Sequence, residues 1–296
     1  MEFKILENPI SKKWVILAPR RANRPDVAKG SEPVCPFCLG KEKEEQEVYR
    51  VPSAPSSNWL VRVIPNKFPF APIHEVIIHS PDHHKNFGEL PQDQVELIFQ
   101  TYRQRYNTHQ NKGQVYIFHN RGEAGGESLP HPHTQLAVLP RNVKMDIPRL
   151  ASDGELATVA KDQKNQETKY FTLFCPKTSQ WPDEVWIAPK LRGRAFGEIT
   201  NEEIADLSRS LSRIIEIYNL RHGYEFPYNF YIYPGGDWYL RLIPRAKVLG
   251  GFEIGTGVFI NTEDPEKTIM FIKEHFENPN EEKIRIHHRA EYKRSA

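Results

Sequence analysis

Short runs in which apolar and polar residues alternate dominate both halves of the chain, and two longer runs repeat apolar residues at helical spacing. Alternation places successive side chains on opposite faces of a strand, whereas a 3.6-residue period makes one apolar stripe on a helix. Residues 3–6 and 14–17 read as two short strands about an Asn8-Pro9 turn, and 18–34, rich in Pro and Arg, reads as irregular. Residues 58–64 and 75–79 read as further strands, closed by Pro65-Asn66 and Ser80-Pro81. A helix is predicted from Pro91, since Val95, Ile98, Phe99, Tyr102 and Tyr106 fall on one stripe and proline suits a first helical turn. Residues 114–119 and 131–139 then make a strand, Gly-rich loop, strand unit.

The second half follows the same plan. Residues 184–188 read as a strand, and Thr200-Asn201-Glu202-Glu203 is a capping box. The helix it opens carries Ile204, Leu207, Leu211, Ile214, Ile215 and Tyr218 on one stripe. Strands at 228–233 and 238–243 flank Pro234-Gly235-Gly236. Strand, helix, strand, Gly-containing turn, strand thus occurs twice, which predicts an α+β protein of two related halves, 1–145 and 146–296, around an antiparallel sheet with flanking helices. The polar stretch 145–169 is expected to join them, and the charged chain beyond Phe276 to be loosely held.

With 296 residues and 39% hydrophobic content there is ample material for a core. Forty basic residues against 38 acidic leave a net charge of +2, which gives no general attraction to nucleic acid or membrane. The N-terminus lacks a charged-then-apolar leader pattern and no apolar run is long enough to span a bilayer, so a cytoplasmic protein is expected. Three cysteines are too few for a disulfide framework. Two of them stand as Cys35-Pro36-Phe37-Cys38, a spacing that suits metal ligation; a redox pair fits less well, because no thioredoxin-like strand and helix surround it.

The chemistry concentrates in Leu129-Pro130-His131-Pro132-His133-Thr134-Gln135, which follows a Gly-rich run from Asn120 to Ser128. In an extended segment His131, His133 and Gln135 share one face. Burying such a row is costly unless each group has a partner, so a metal, a phosphate or a nucleophilic role is expected.

His-Pro-His-Thr-Gln resembles, position for position, the His-Pro-His-x-Gln signature of the galactose-1-phosphate uridylyltransferase family, a nucleotidyltransferase branch of the histidine-triad superfamily. The resemblance implies that His133 is the nucleophile that takes up a nucleoside monophosphate, and that Gln135 donates to a phosphoryl oxygen. A neutral imidazole is a good nucleophile near pH 7, and a backbone carbonyl that accepts from Nδ1 would leave Nε2 to attack phosphorus. An amide can bond a phosphoryl oxygen yet cannot shuttle a proton, which favours transfer to a second phosphate over hydrolysis.

The same resemblance implies a zinc site of Cys35, Cys38, His83 from Ser80-Pro81-Asp82-His83, and His131, with His84 the rival to His83. Two thiolates and two imidazoles would carry no net charge with the dication. It further implies nucleotide contacts from Arg21, Arg24, Asn66 and Asn120, phosphate contacts from Gly126 and Ser128, and sugar-phosphate contacts from Lys247 and Glu253. A homodimer that exchanges UMP between UDP-hexose and a hexose 1-phosphate is expected, the alternatives being a nucleoside-diphosphate-sugar or dinucleotide phosphorylase that uses inorganic phosphate, or a zinc-stabilised nucleotide-binding protein without turnover. His74, His79 and His119 read as satisfied strand residues. The second half departs from the family, with Asp237-Trp238-Tyr239-Leu240-Arg241 in place of a His-x-His pattern, so one zinc per chain is expected and the hexose is left open.

Overall fold

The computed structural model describes residues 3–24, 35–53, 58–150 and 165–284. Strands β1 (Lys4–Glu7) and β2 (Trp14–Leu17) pair as a separate hairpin. The other ten are β3 (Tyr49–Val51), β4 (Val61–Pro65), β5 (Ile73–Ile78), β6 (Gln114–Arg121), β7 (His133–Leu139), β8 (Gln166–Glu167), β9 (Phe171–Phe174), β10 (Val185–Pro189), β11 (Tyr228–Ile232) and β12 (Leu240–Pro244). They form one antiparallel sheet in the order β3-β4-β5-β7-β6-β11-β12-β10-β9-β8. The expected α+β class and antiparallel sheet are found.

Helices α1 (Gln92–His109) and α2 (Asn201–His222) cover one face of this sheet. Every stripe residue named above is buried in them. The capping box of α2 forms as expected, with Glu203 N–H donating to Thr200 Oγ1 at 3.2 Å and Thr200 N–H to Glu203 Oε2 at 2.8 Å. Beneath the helices lies one continuous apolar core that runs from Val61 to Ile284 through both halves. Strand order corresponds between the halves: β4-β5-β7-β6 on one side of the β6–β11 seam and β9-β10-β12-β11 on the other.

Several boundaries depart from expectation. β4 begins at Val61; β12 begins at Leu240, after Asp237 turns the chain with φ 58°. β8 lies inside the presumed linker, and β3 and β9 were not foreseen. Gly251–Thr256 forms a short helix α3, closed by Gly257 at φ 70°; α4 (Pro265–His275) packs on the core after it. The parts of the expected irregular loop, linker and tail at 25–34, 151–164 and 285–296 lie outside the described residues.

The most consequential correction concerns the histidines. β7 starts at His133, not His131, because Pro132 has no N–H for the ladder and takes part only through its carbonyl, which accepts from His79 N–H at 3.1 Å. His131 therefore sits in the bend before the strand and does not share its face. Thr134 bonds Tyr102 of α1, so His133 and Gln135 point to the face away from the helices.

A candidate nucleotidyl-transfer site and metal cluster

His133 opens β7 almost fully buried, and its Nδ1–H donates to the carbonyl of His131 at 2.8 Å. That bond leaves Nε2 as the nitrogen with a lone pair, in a ring that borders a cleft of about 330 Å³. Burial first, then the charge of Arg24, lowers His133 to about 4 against the bond to His131, so the ring is neutral near pH 7. The His133 carbonyl in turn accepts from His119 Nδ1–H at 2.9 Å. Phe37 lays its ring edge-on 5.3 Å from the imidazole. Backbone and ring of His133 are thus held from three sides.

Beside the His133 ring the cleft is lined by Arg24, Asn66, Ser128 and Gln135. Arg21 stands over the Phe70 ring and donates to the Phe68 carbonyl, and burial together with Arg24 lowers it to about 10, still charged at neutral pH. Both charges add to burial in holding the His74 ring neutral.

Asn120 accepts from Asn229 Nδ2 at 2.8 Å, and the same group donates to the Gly125 carbonyl at 2.7 Å, tying the Gly-rich loop to β11. Gly122 is required here, since a Cβ would come within 2.9 Å of Pro227 at a φ of 73°. Within the loop Gly125, Gly126 and Glu127 donate to loop carbonyls. The Gly126 amide is therefore spent locally and does not reach the cleft; Ser128 does.

Lys247 and Glu253 are not brought to this cleft. They pair with one another at 2.9 Å, while Lys247 also donates to the Ile260 carbonyl at 2.6 Å and Glu253 closes the N-terminus of α3.

Four donors converge beside this segment, one of them the ring of His131. Cys35, Cys38, His83 and His131 offer ligand atoms all within 4.8 Å of one another. Cys38 Sγ lies 3.1 Å from His83 Nδ1 and 3.7 Å from His131 Nδ1, and Cys35 Sγ lies 3.6 Å from His131 Nδ1. Bonds of about 2.0–2.3 Å to a tetrahedral ion require ligand-to-ligand edges of about 3.5 Å, so the set fits. His131 donates its Nε2–H to the Ser80 carbonyl at 2.8 Å, which fixes the tautomer and leaves Nδ1 for a metal. Burial raises the Cys35 thiol to about 11, so two thiolates there need a compensating cation.

Sequence reasoning passed over three histidines that build the site. His119 holds the His133 carbonyl, His79 bonds Thr134, the residue after His133, at 2.8 Å, and His74 Nε2 lies 3.0 Å from Gln135 Oε1. The available signal was their position on β5 and β6, the strands on either side of β7, or at the end of β5. In the second half the matching face is filled instead. Arg241 bonds Glu184 at 2.7 Å and lies over the Trp186 and Tyr231 rings, while Trp238 is buried in the helix-side core.

The sheet presents His-Pro-His-Thr-Gln at the mouth of β7 beside this donor set. Residues 73–139, β5 to β7, match the family described as galactose-1-phosphate uridyl transferase, N-terminal domain. Over nearly its whole length the chain is similar to ADP-glucose phosphorylase of Arabidopsis thaliana, at 27% identity over 92% of each chain. It is also similar to galactose-1-phosphate uridylyltransferase of Thermotoga maritima, at 26% identity over 90% of this chain and 96% of that one. The crystal structure of the Arabidopsis phosphorylase with bound ADP-glucose aligns with a TM-score of 0.69 over 92% of this chain and 99% of that chain. A solved uridylyltransferase, 21% identical, shares the fold with a TM-score of 0.71 over 92% and 98%. The chain is a relative of the galactose-1-phosphate uridylyltransferases and an enzyme of the nucleotidyltransferase class.

Proposed function

We propose that this enzyme moves a nucleoside monophosphate between a nucleoside-diphosphate hexose and a phosphate acceptor through a covalent adduct on His133. The observation that carries this reading is the pairing of His133 Nδ1–H with the His131 carbonyl, which presents a neutral Nε2 to a cleft lined by Arg24 and Gln135. Nε2 attacks the α-phosphorus, the bond from phosphorus to the bridging oxygen breaks, and hexose 1-phosphate leaves with the electron pair. Its phosphate then gives way to an acceptor phosphate, whose oxygen attacks the same phosphorus and releases His133. Arg21, Arg24, Asn66, Asn120 and Ser128 hold the nucleotide and its charge, and Gln135 donates to a non-bridging oxygen as negative charge moves.

The acceptor we propose is a hexose 1-phosphate, with UDP-hexose as donor, in keeping with the matched family. A second reading, ADP-glucose with inorganic phosphate, is supported by the Arabidopsis relative that aligns over 92% of both chains. Lys247 and Glu253, joined to each other outside the cleft, are assigned to the hexose only by resemblance. Cys35, Cys38, His83 and His131 would hold zinc, whose part is to fold the loop before β7 rather than to touch the reacting phosphorus.

The corresponding strand orders support an internal duplication with halves 1–145 and 146–296 that share one core. A homodimer is supported by exposed Leu6, Val15 and Leu17 on the hairpin and by Val248, Phe252 and Ile254 around α3. A cytoplasmic location accords with substrates of this class, and among the described residues no helix is long and apolar enough to cross a membrane. Separate incubation with UDP-glucose and ADP-glucose, followed by mass spectrometry of the His133 peptide, tests the reading. One base-specific nucleotidyl adduct that is discharged by hexose 1-phosphate or by phosphate is expected. Turnover with no adduct on His133 would overturn it.

A further inference from the structure

We infer that His74 is a positioning residue that fixes which end of the Gln135 amide faces the cleft; the inference rests on the proposed role of Gln135. An amide side chain has two ends of nearly equal shape, one that only accepts and one that only donates. Only the donating end helps a phosphoryl group. What decides between them is the polarity of the hydrogen bonds behind it, and here that polarity can be traced to two backbone groups.

Phe70 N–H lies 3.3 Å from His74 Nδ1. A backbone N–H can only donate, so Nδ1 accepts and the neutral ring carries its proton on Nε2. Burial above all, with the charges of Arg21 and Arg24 against the Gln135 bond, lowers His74 to about 3, in keeping with a neutral ring. Nε2–H then donates to Gln135 Oε1 at 3.0 Å. In the same way Phe68 N–H donates to Asn66 Oδ1 at 2.9 Å, which turns Asn66 Nδ2 toward the pair, 3.3 Å from both Gln135 Oε1 and His74 Nε2; with the His74 proton on Nε2, only the Gln135 oxygen can accept from it. Two donors meet one oxygen, so the Gln135 carbonyl is held back against β5 and its Nε2 hydrogens turn to the cleft. A reversed amide would set N–H against N–H at two contacts and aim its oxygen at the phosphate.

The segment Asn66-Lys67-Phe68-Pro69-Phe70 thus does more than line the cleft. Its two amides pass their polarity through Asn66 and His74 to Gln135, while Arg21 packs on the Phe70 ring and bonds the Phe68 carbonyl from the other side. Removing His74 leaves the amide free to reverse, with loss of the transition-state donor rather than of nucleotide binding.

The test compares His74→Leu, which removes the donor, with His74→Gln, whose amide can place an N–H near the position of Nε2. Single-turnover formation of the His133 adduct from the active nucleotide-sugar is measured in both, alone and with Gln135→Ala. His74→Leu is expected to slow adduct formation on the order of a hundredfold, as loss of one preorganised donor does. Nucleotide affinity and metal content should change by less than about threefold, His74→Gln should restore most of the rate, and His74→Leu should add little in the Gln135→Ala background. Independent losses in the double variant, or His74→Gln no faster than His74→Leu, would overturn the inference. Long-range nitrogen NMR of the wild-type imidazole reads the tautomer without turnover: a proton on Nδ1 of His74 sinks the inference even if the adduct forms. A proton on Nε2 together with no adduct would sink the covalent mechanism and leave the orientation standing.

Discussion

His133 donates its Nδ1 proton to the carbonyl oxygen of His131, 2.8 Å away, while the His131 ring joins Cys35 and Cys38 in the donor cluster. One residue therefore belongs both to the proposed metal site and to the orientation of the proposed nucleophile. Pro132 between them locks the backbone, so a shift of the His131 peptide is passed to the His133 ring.

Cys38→Ser should consequently do three things at once. Metal content should fall, the melting temperature should drop on the order of 5–10 °C if lost ligation costs about 3 kcal/mol, and adduct formation should slow more than nucleotide affinity falls. Elemental analysis, calorimetry and single-turnover kinetics on the same preparation check this. A metal-free wild-type protein of full stability would defeat the structural-zinc reading.

Elemental analysis also tests the second half. The face of β12 that answers to β7 holds Arg241 bonded to Glu184 at 2.7 Å with Trp186 and Tyr231 around it. Such a cation repels a second one, so about one transition-metal ion per chain is expected on the ligand count. A reproducible second ion at full occupancy would show that other ligands had been missed.

Periodicity disclosed α1, α2 and most central strands because the stripes that bury them are long and regular. The edge strands β3 and β8, and β9 beside β8, are two to four residues long, too short for a period to register. Cys35 and Cys38 stood out by their spacing and the His131 to Gln135 run by its proline and polar alternation, whereas His83 joined the candidate metal set only through the resemblance to the family. His74, His79 and His119 were not legible, since a histidine that satisfies the core and one that orients a catalytic group look alike until the neighbouring strand is known. Gly126 was matched to a phosphate contact, and in the fold its amide bonds the Glu123 carbonyl within the loop. Lys247 and Glu253 were matched by motif, and the fold pairs them with each other.

The buried histidines set the pH dependence of stability. His74 and His119 are both lowered to about 3, chiefly by burial, whereas an unfolded histidine titrates near about 6.5. Between those values the unfolded chain binds more protons than the folded one, so stability is full above about pH 6.5 and falls as pH drops toward 3. By pH 5 each ring should have cost on the order of 2 kcal/mol. Chemical denaturation between pH 7.5 and 5 should show this loss, and His74→Gln, with one fewer ring to protonate, should lose less. A stability that does not change over that range would contradict the buried, neutral assignment.

The nucleophile itself can be assigned by removing its ring. His133→Gly deletes the attacking nitrogen but leaves Arg24, Asn66, Ser128 and Gln135 lining the cleft. Nucleotide binding should survive while transfer from the nucleotide-sugar falls by several orders of magnitude. The vacated space has the shape of an imidazole, held before by Phe37 at 5.3 Å. A preformed nucleoside phosphoimidazolide should therefore enter it and pass its nucleotide to the acceptor, since the missing group arrives with the substrate. Gln135→Ala should differ in kind: its adduct still forms, more slowly by on the order of a hundredfold. Ordinary turnover of a nucleotide-sugar by His133→Gly would mean that His133 is not the nucleophile, and that His-Pro-His-Thr-Gln only binds.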